Sequence, residues 1–403
     1  MSATKRLDLD LTKQEAIPIE GIEAAKALLA NGKLHRYGEV GAKPSEASLL
    51  ELEFAREIGA AYCVAMNSCG STMFAALRAS GVMPGDKVMS NCFTLAPVPG
   101  AIAHAGAAPV LIDVTDDYTI DLDDLARKAD ASGAKTLLLS HMRGHICDME
   151  ALMRICTPRG VRVIEDCAHT MGASWKGKPT GTWGLAGCFS LQSYKHANTG
   201  EGGLLVTSDP DLAARAILMS GSYMLYSSHL ARPDEQVFER WKYQTPNFSL
   251  RMSNLAAAVA RPQLGARLAD RCRRWNERYG WLVDDLSNAR HIRLPHRPAG
   301  EDFVMSSLQF SLVELSRATM AKFVAACAAR GLHVKWFGAE EPVGFTSVWS
   351  HWRYFGEAQD LPNAERVLGG LFDIRLPLAL SRDDCRAIAS VMHAALAEVV
   401  DAP

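Results

Sequence analysis

The sequence is short of features that would settle a compartment or a partner at once. It has no Cys-x-x-Cys pair, although it contains ten cysteines. Cys63, Cys69, Cys92, Cys167 and Cys188 sit in apolar or Gly-rich settings, where cysteine serves as a small core residue. A disulfide framework is therefore not expected, and no ligand spacing supports a structural metal. No apolar run reaches the length of a membrane span. Charge of either sign is not in excess: 43 basic residues face 45 acidic ones, for a net charge of -2. That balance gives no reason to expect nucleic acid or an anionic membrane as a partner. Asp8 and Asp10 fall where a signal peptide needs an apolar stretch, so a cytoplasmic protein is expected. Internal repeats, low-complexity tracts and long linkers are absent as well, and neither end carries a helix-turn-helix segment or a basic patch.

What is present is an ordinary globular composition, 48% hydrophobic and 22% charged over 403 residues, enough for two or three domains. Between residues 45 and 210 helical and strand patterns alternate. Leu49, Leu50, Leu52, Phe54 and Ile58 mark one face of a helix over Ser45–Ile58. Strands are predicted at Ala61–Met66, Lys87–Ser90, Pro109–Val114, Thr136–Ser140 and Arg162–Asp166, with helices between them starting near Asn67, Pro97, Asp121 and Asp148. Apolar strands alternating with helices argue for an α/β fold with a mostly parallel sheet covered on both faces. In such sheets ligands bind beyond the carboxyl ends of the strands. After residue 250 the pattern changes. One long helix is predicted over Asn254–Gly280, then a strand over Phe303–Leu315, a helix over Arg317–Arg330, a strand over Gly331–Trp336 and a closing helix over Asp383–Val400. The expected division is a large domain over 1–250, including the N-terminal segment, and a small α/β domain over 251–403 that includes the long helix.

Two segments carry chemistry. One is Val163-Ile164-Glu165-Asp166-Cys167-Ala168-His169, an apolar run ending in acids. The other runs from Cys188 to Gly203 and places Ser190 five residues before Lys195, with the Gly-rich turn Gly200-Glu201-Gly202-Gly203 behind it. Together they suit pyridoxal phosphate, which needs an amine for its aldehyde, an anion near its ring nitrogen, a donor-rich cradle for its phosphate and apolar surface on its ring. Lys195 is the candidate amine; the competing reading is a solvated surface lysine. Asp166 is the candidate anion, although an Asp after a strand is also a common helix cap. Alternation along the strand allows only one of Glu165 and Asp166 to face the site. Ser68, Gly70, Ser71 and Thr72 open a helix, where hydroxyls and free amides suit phosphate but also serve routine capping. His169 is a candidate ring contact or a plain core histidine.

These residues resemble the DegT/StrS family of sugar aminotransferases, a branch of the fold-type-I pyridoxal-phosphate enzymes. The resemblance covers most of the chain. It includes the turn Asn67–Thr72, Pro84-Gly85-Asp86, Gly144–Asp148, Glu165–His169, Ser190–Gly203, Arg251-Met252-Ser253, Leu361–Ala364 and Leu376-Pro377-Leu378. It implies a homodimer with sites at the interface, Lys195 as the Schiff-base lysine, Asp166 on the ring nitrogen, His169 near the ring, and Ser190 with the Gly70-Ser71 turn on the phosphate. The implied reaction is ping-pong transamination. An amino acid donor, glutamate or glutamine, gives its amine to the cofactor, and a keto-sugar or oxo-cyclitol receives it, with Lys195 moving the proton.

The sequence also leaves the family pattern. Where the family has an aromatic residue stacked on the ring, this chain has Leu95, with Phe93 two residues away. Where the family has an Asn that reaches the phosphate from the partner subunit, it has Ser249, with Asn247 nearby. Arg143 follows a strand and offers a guanidinium for a carboxylate or phosphate of the substrate, or else forms a structural ion pair. Two alternatives follow: another reaction of the same cofactor, such as dehydration or chemistry on an amino acid or oxo acid, and a pyridoxal-phosphate-binding regulator without turnover.

Overall fold

Residues 6–38, 43–346, 348–356 and 359–400 are described by the structure, a computed structural model. Seven short strands make the central sheet: β1 (Tyr62–Met66), β2 (Lys87–Asn91), β3 (Ala108–Ile112), β4 (Thr136–Ser140), β5 (Arg162–Asp166), β6 (Ala186–Ser190) and β7 (Gly203–Thr207). Their order is β1-β7-β6-β5-β4-β2-β3, and β7 alone runs against its neighbours. Helices cover both faces, which is why the strands read as apolar runs rather than as alternations. In β4, Leu137 and Leu139 join the core on one face while Leu138 joins the core on the other.

Three of the helices around this sheet start at capping side chains that the sequence places there. Ser45 accepts from the Ser48 amide, Asp121 from those of Asp123 and Asp124, and Asp148 from that of Ala151. Each satisfies an amide left open at a helix start. One predicted element is corrected. The long helix over 254–280 is two helices, Asn254–Ala260 and Ala266–Leu286, separated by a tight turn over Arg261–Gln263. Pro262 has no amide to donate, and Gly265 takes φ 61 and ψ -131, a conformation that glycine alone adopts without strain. Arg261 is also drawn sideways to Glu46 and Glu53, both at 2.6 Å.

The second sheet has four strands: β8 (Ile292–Arg293), β9 (Ser307–Leu312), β10 (Lys335–Trp336) and β11 (Leu371–Arg375), in the order β8-β9-β11-β10. The predicted strands over 303–315 and 331–336 shorten accordingly to β9 and β10. The helix Ala266–Leu286 ties the two sheets together. Its Trp275 indole donates to the Leu376 carbonyl at 3.0 Å, and Arg278 donates to the Leu378 carbonyl at 2.6 Å. The N-terminal stretch runs along the second sheet. Leu7, Leu9 and Leu11 pack on its core, and Glu15 pairs with Arg274 at 2.6 Å. Among the described residues, no helix is long and apolar enough to cross a membrane. All ten cysteines are buried and free.

A close approach fixes the inner end of the crevice. A Cβ on Gly203, at the start of β7, would lie 2.4 Å from the Ser68 carbonyl carbon and oxygen. Only glycine lets β7 run this near the turn that opens the helix Cys69–Ala79. Gly203→Ala is expected to lower the unfolding free energy by about 1–3 kcal/mol. The shift in the urea midpoint of the cofactor-free protein measures this.

Candidate active site

Strands β4, β5 and β6 end side by side, and their register places Ser140 opposite Asp166 and Asp166 opposite Cys188. Asp166 is buried at the end of β5. Its Oδ2 accepts from the Ser140 hydroxyl at 2.8 Å, and its Oδ1 accepts from the Ala168 amide at 3.1 Å. Ser140 is itself fixed: its hydroxyl accepts from Thr94 Oγ1 at 2.8 Å, its amide donates to Asn91 Oδ1 at 2.9 Å, and its carbonyl accepts from Asn91 Nδ2 at 3.0 Å. Glu165 leaves β5 on the other face. Its carboxylate accepts from the amides of Gly181, Trp183 and Gly184 and meets His141 Nε2 at 3.0 Å. Of the two neighbouring acids, Asp166 is the one that faces the crevice.

Asp166 lines a cavity of about 320 Å³ together with Ser68, Gly70, Leu95, His169, Ser190 and Lys195. Seven of the residues singled out in the sequence thus meet in one place. Ser71 stands just behind: its amide donates to Ser68 Oγ at 3.0 Å, making Ser68 the cap of the helix Cys69–Ala79. The first amides of a helix have no partner within it, so this end of the cavity offers donors to an anion.

Lys195 lies in the loop after β6, where its amide donates to the Gln192 carbonyl at 2.8 Å. Its Nζ is 2.8 Å from His169 Nε2. Burial pushes its pKa down to about 7, and the positive charge of Arg143 pushes the same way while Asp166 opposes it. Burial, and then the charge of Lys195, hold His169 well below the usual histidine range, so His169 is neutral at physiological pH.

A second cavity of about 350 Å³ adjoins the first and shares Leu95, Pro97, His169, Gln192 and Lys195 with it. Its outer wall includes Leu11, Lys13, Gln14 and Glu15 of the N-terminal stretch, Trp275, Arg143 and Arg375. Arg143 has φ 57, an uncommon value for a residue with a side chain, and its Nη2 is 2.9 Å from Asp373 Oδ2 across the two sheets. Both side chains are buried. Of the two readings of Arg143, the structural ion pair is the one observed.

Phe93 does not take up the position of Leu95. It is buried edge-on against Tyr118 and Phe337, outside both cavities. Leu95, half-buried, presents aliphatic surface instead. Ser249 and Asn247 line neither cavity of their own chain. Both are exposed, and Ser249, at φ 56, donates its amide to Asn247 Oδ1 at 2.9 Å. Sequence reasoning missed Ser140, Gln192, Trp275 and Arg375. Ser140, Trp275 and Arg375 lie in no motif and enter only through strand register or inter-domain packing, whereas Gln192 stands inside the Ser190–Gly203 segment.

The lining meets the requirements of pyridoxal phosphate: a primary amine, a fixed buried carboxylate, a helix start at Ser68 and Gly70, and the apolar side chains of Leu95, Val98 and Met142.

Comparison with known proteins agrees. A model of the DegT/DnrJ/EryC1/StrS aminotransferase family matches residues 19–393. The chain is 34% identical over 236 residues to the spore coat polysaccharide biosynthesis protein SpsC of Bacillus subtilis, covering 56% of this chain and 58% of that protein. It is 32% identical over 250 residues to the GDP-perosamine synthase of Caulobacter vibrioides, covering 61% and 63%. The chain thus spans less than two thirds of the length of either relative. The fold matches the crystal structure of the aminotransferase TlmJ from Streptoalloteichus hindustanus with a TM-score of 0.80, at 23% identity over 96% of this chain and 98% of that one. With nearly its whole length matched by the family model, the chain belongs to the DegT/DnrJ/EryC1/StrS aminotransferase family.

Proposed function

We propose that this chain is a pyridoxal-phosphate-dependent aminotransferase that carries an amino group from an amino acid, glutamate or glutamine, to a keto-sugar or oxo-cyclitol. One observation carries the reading: a single cavity brings together the Lys195 amine, the Asp166 carboxylate and the helix start at Ser68 and Gly70. The names of the two relatives, a polysaccharide biosynthesis protein and a perosamine synthase, support a sugar-like acceptor.

When bound, pyridoxal phosphate supplies an aldehyde that condenses with amines and a ring that draws electron density from the adjoining carbon. Lys195 would hold the aldehyde end. Asp166 would face the ring nitrogen, and its bonds from Ser140 and Ala168 keep its oxygens from turning away. Ser68, Gly70, Ser71 and Ser190 would take the phosphate. Leu95 would cover a ring face by dispersion contact in place of an aromatic stack. With its pKa near 7, Lys195 Nζ is largely unprotonated just above neutrality, which suits it to attack a carbonyl and to lift a proton from a substrate carbon and return it. Neutral His169 accepts a hydrogen bond through Nε2 and so orients Nζ without repelling it.

The active form in this reading is a homodimer in the cytoplasm. Asn247 and Ser249 are exposed, as are Tyr223 and Met224, and the first two would reach the phosphate of a second copy. In this reading residues 1–250 make up the cofactor domain and 251–403 the smaller one.

Lys195→Ala is expected to abolish the violet absorbance of the cofactor-loaded protein and to cut amino transfer by about 10²–10⁴-fold. Asp166→Asn is expected to retain cofactor but lose on the order of 100-fold in turnover, since the ring nitrogen loses its counter-charge. The pH dependence follows from the lowered Lys195 pKa. The amine is charged and unreactive below it and free above it, so cofactor capture by the cofactor-free protein should speed up through about pH 7 and level off above it. Arg143→Met should move that midpoint to higher pH, because a nearby positive charge is removed. Stopped-flow absorbance across a pH series reads both effects.

A further inference from the structure

The outer cavity is rich in cations, and two of its three arginines are already answered. Arg143 pairs with Asp373. Arg271 donates to Gln263 Oε1 at 2.9 Å and lies 3.5 Å from Glu15. Arg375 differs. It follows Asp373 by two residues on β11, so both side chains leave on the same face of the strand. Asp373 is spent on Arg143 at 2.9 Å and on the Gln309 amide at 2.5 Å. Among the described residues, no carboxylate, carbonyl or hydroxyl pairs with the Arg375 guanidinium. It lies instead over the ring of Tyr194, 3.9 Å from the ring centre. Tyr194 is the residue before Lys195, so this contact ties the small sheet to the loop that carries the amine.

Stacking uses one face of the guanidinium and leaves its N–H edge free, and that edge matches a carboxylate in two parallel hydrogen bonds. The backbone behind Arg375 is fixed by pairing with Ser307 and by the bond from Trp275 to the next carbonyl. Arg375, Tyr194 and Lys195 all line the same outer cavity.

We propose that Arg375, stacked on Tyr194, is the specificity-determining residue of the outer cavity and receives a carboxylate of the substrate whose reacting carbon is presented to Lys195. This rests on the aminotransferase reading above. The carboxylate has two sources, the amino acid donor or an acceptor that is itself an oxo acid, and the two half-reactions separate them.

The test uses the cofactor-loaded protein and glutarate as the probe, with its neutral diamide as the control, by titration calorimetry. Arg375→Gln should weaken glutarate binding by at least about 10-fold, in line with loss of a charged hydrogen bond. Arg375→Lys should fall between the two, because an ammonium keeps the charge but not the fork. The diamide should bind all three proteins alike, and an unchanged melting temperature shows that the variants are folded. Glutarate affinity within twofold of wild type in Arg375→Gln overturns the proposal. So does equal weakening of glutarate and diamide, or failure of the wild-type protein to bind glutarate. Single-turnover absorbance then assigns the source. A loss confined to the half-reaction with glutamate points to the donor, and a loss confined to the half-reaction with a carboxylated ketone points to the acceptor. No loss in either overturns the proposal. A wild-type protein that shows no spectral change with any amino acid overturns the aminotransferase reading instead, while the glutarate titration still decides the role of Arg375.

Discussion

The register of three parallel strands governs this site. Ser140 and Asp166 stand abreast at the ends of β4 and β5, with Cys188 of β6 beside them, and that alignment turns Asp166 rather than Glu165 toward the crevice. A slip of one residue would exchange the two acids. It would also strip Glu165 of the backbone amides that make its burial tolerable and leave them without an acceptor. The sheet therefore protects its register with polar as well as apolar contacts. The Asn91–Ser140–Thr94 network on one side and the Gly181–Gly184 loop on the other are both satisfied in only one alignment. A buried polar network that is fully satisfied specifies a single arrangement more sharply than apolar packing does.

Charge around Lys195 is arranged in the same economical way. Four of the ionisable groups here are basic, yet two of them are pushed toward neutrality, Lys195 by burial and then by Arg143, and His169 by burial and then by Lys195. Arg143 gives its charge to Asp373, and Arg375 rests on an aromatic face. The site thus holds a free amine, a neutral imidazole and one cation with an open edge, without needing a large negative counterweight.

Much of this was legible in the sequence, and the limits have physical causes. Strands β4 and β5 could be read to their last residues because apolar runs bounded by polar or turn residues have few other solutions. Lys195, Asp166 and the Ser68 turn could be read because the chemistry demands those residue types near strand ends. The break at Pro262 was hidden because its flanks are rich in Ala, Arg and Leu, which favour helix strongly enough to mask one proline. The Phe93 and Leu95 alternatives lie two residues apart, and only the aromatic cluster with Tyr118 and Phe337 shows which one the core claims. Arg143 and Arg375 look alike on paper. Their difference depends on Asp373, far from Arg143 in the chain but two residues from Arg375, whose one carboxylate goes to Arg143 and Gln309.

The N-terminal stretch has a consequence for how such a protein can diversify. Leu11, Lys13, Gln14 and Glu15 wall the outer cavity, but they are held there by a few leucines on the small sheet and by Glu15 on Arg274, and they contribute no strand to either sheet. Residues there can change without disturbing the register that fixes Asp166 or the loop that carries Lys195. This part of the cavity wall and the groups around Lys195 thus rest on separate parts of the chain. The outline of the outer cavity can therefore vary along this edge while the arrangement of Asp166, His169 and Lys195 stays as it is.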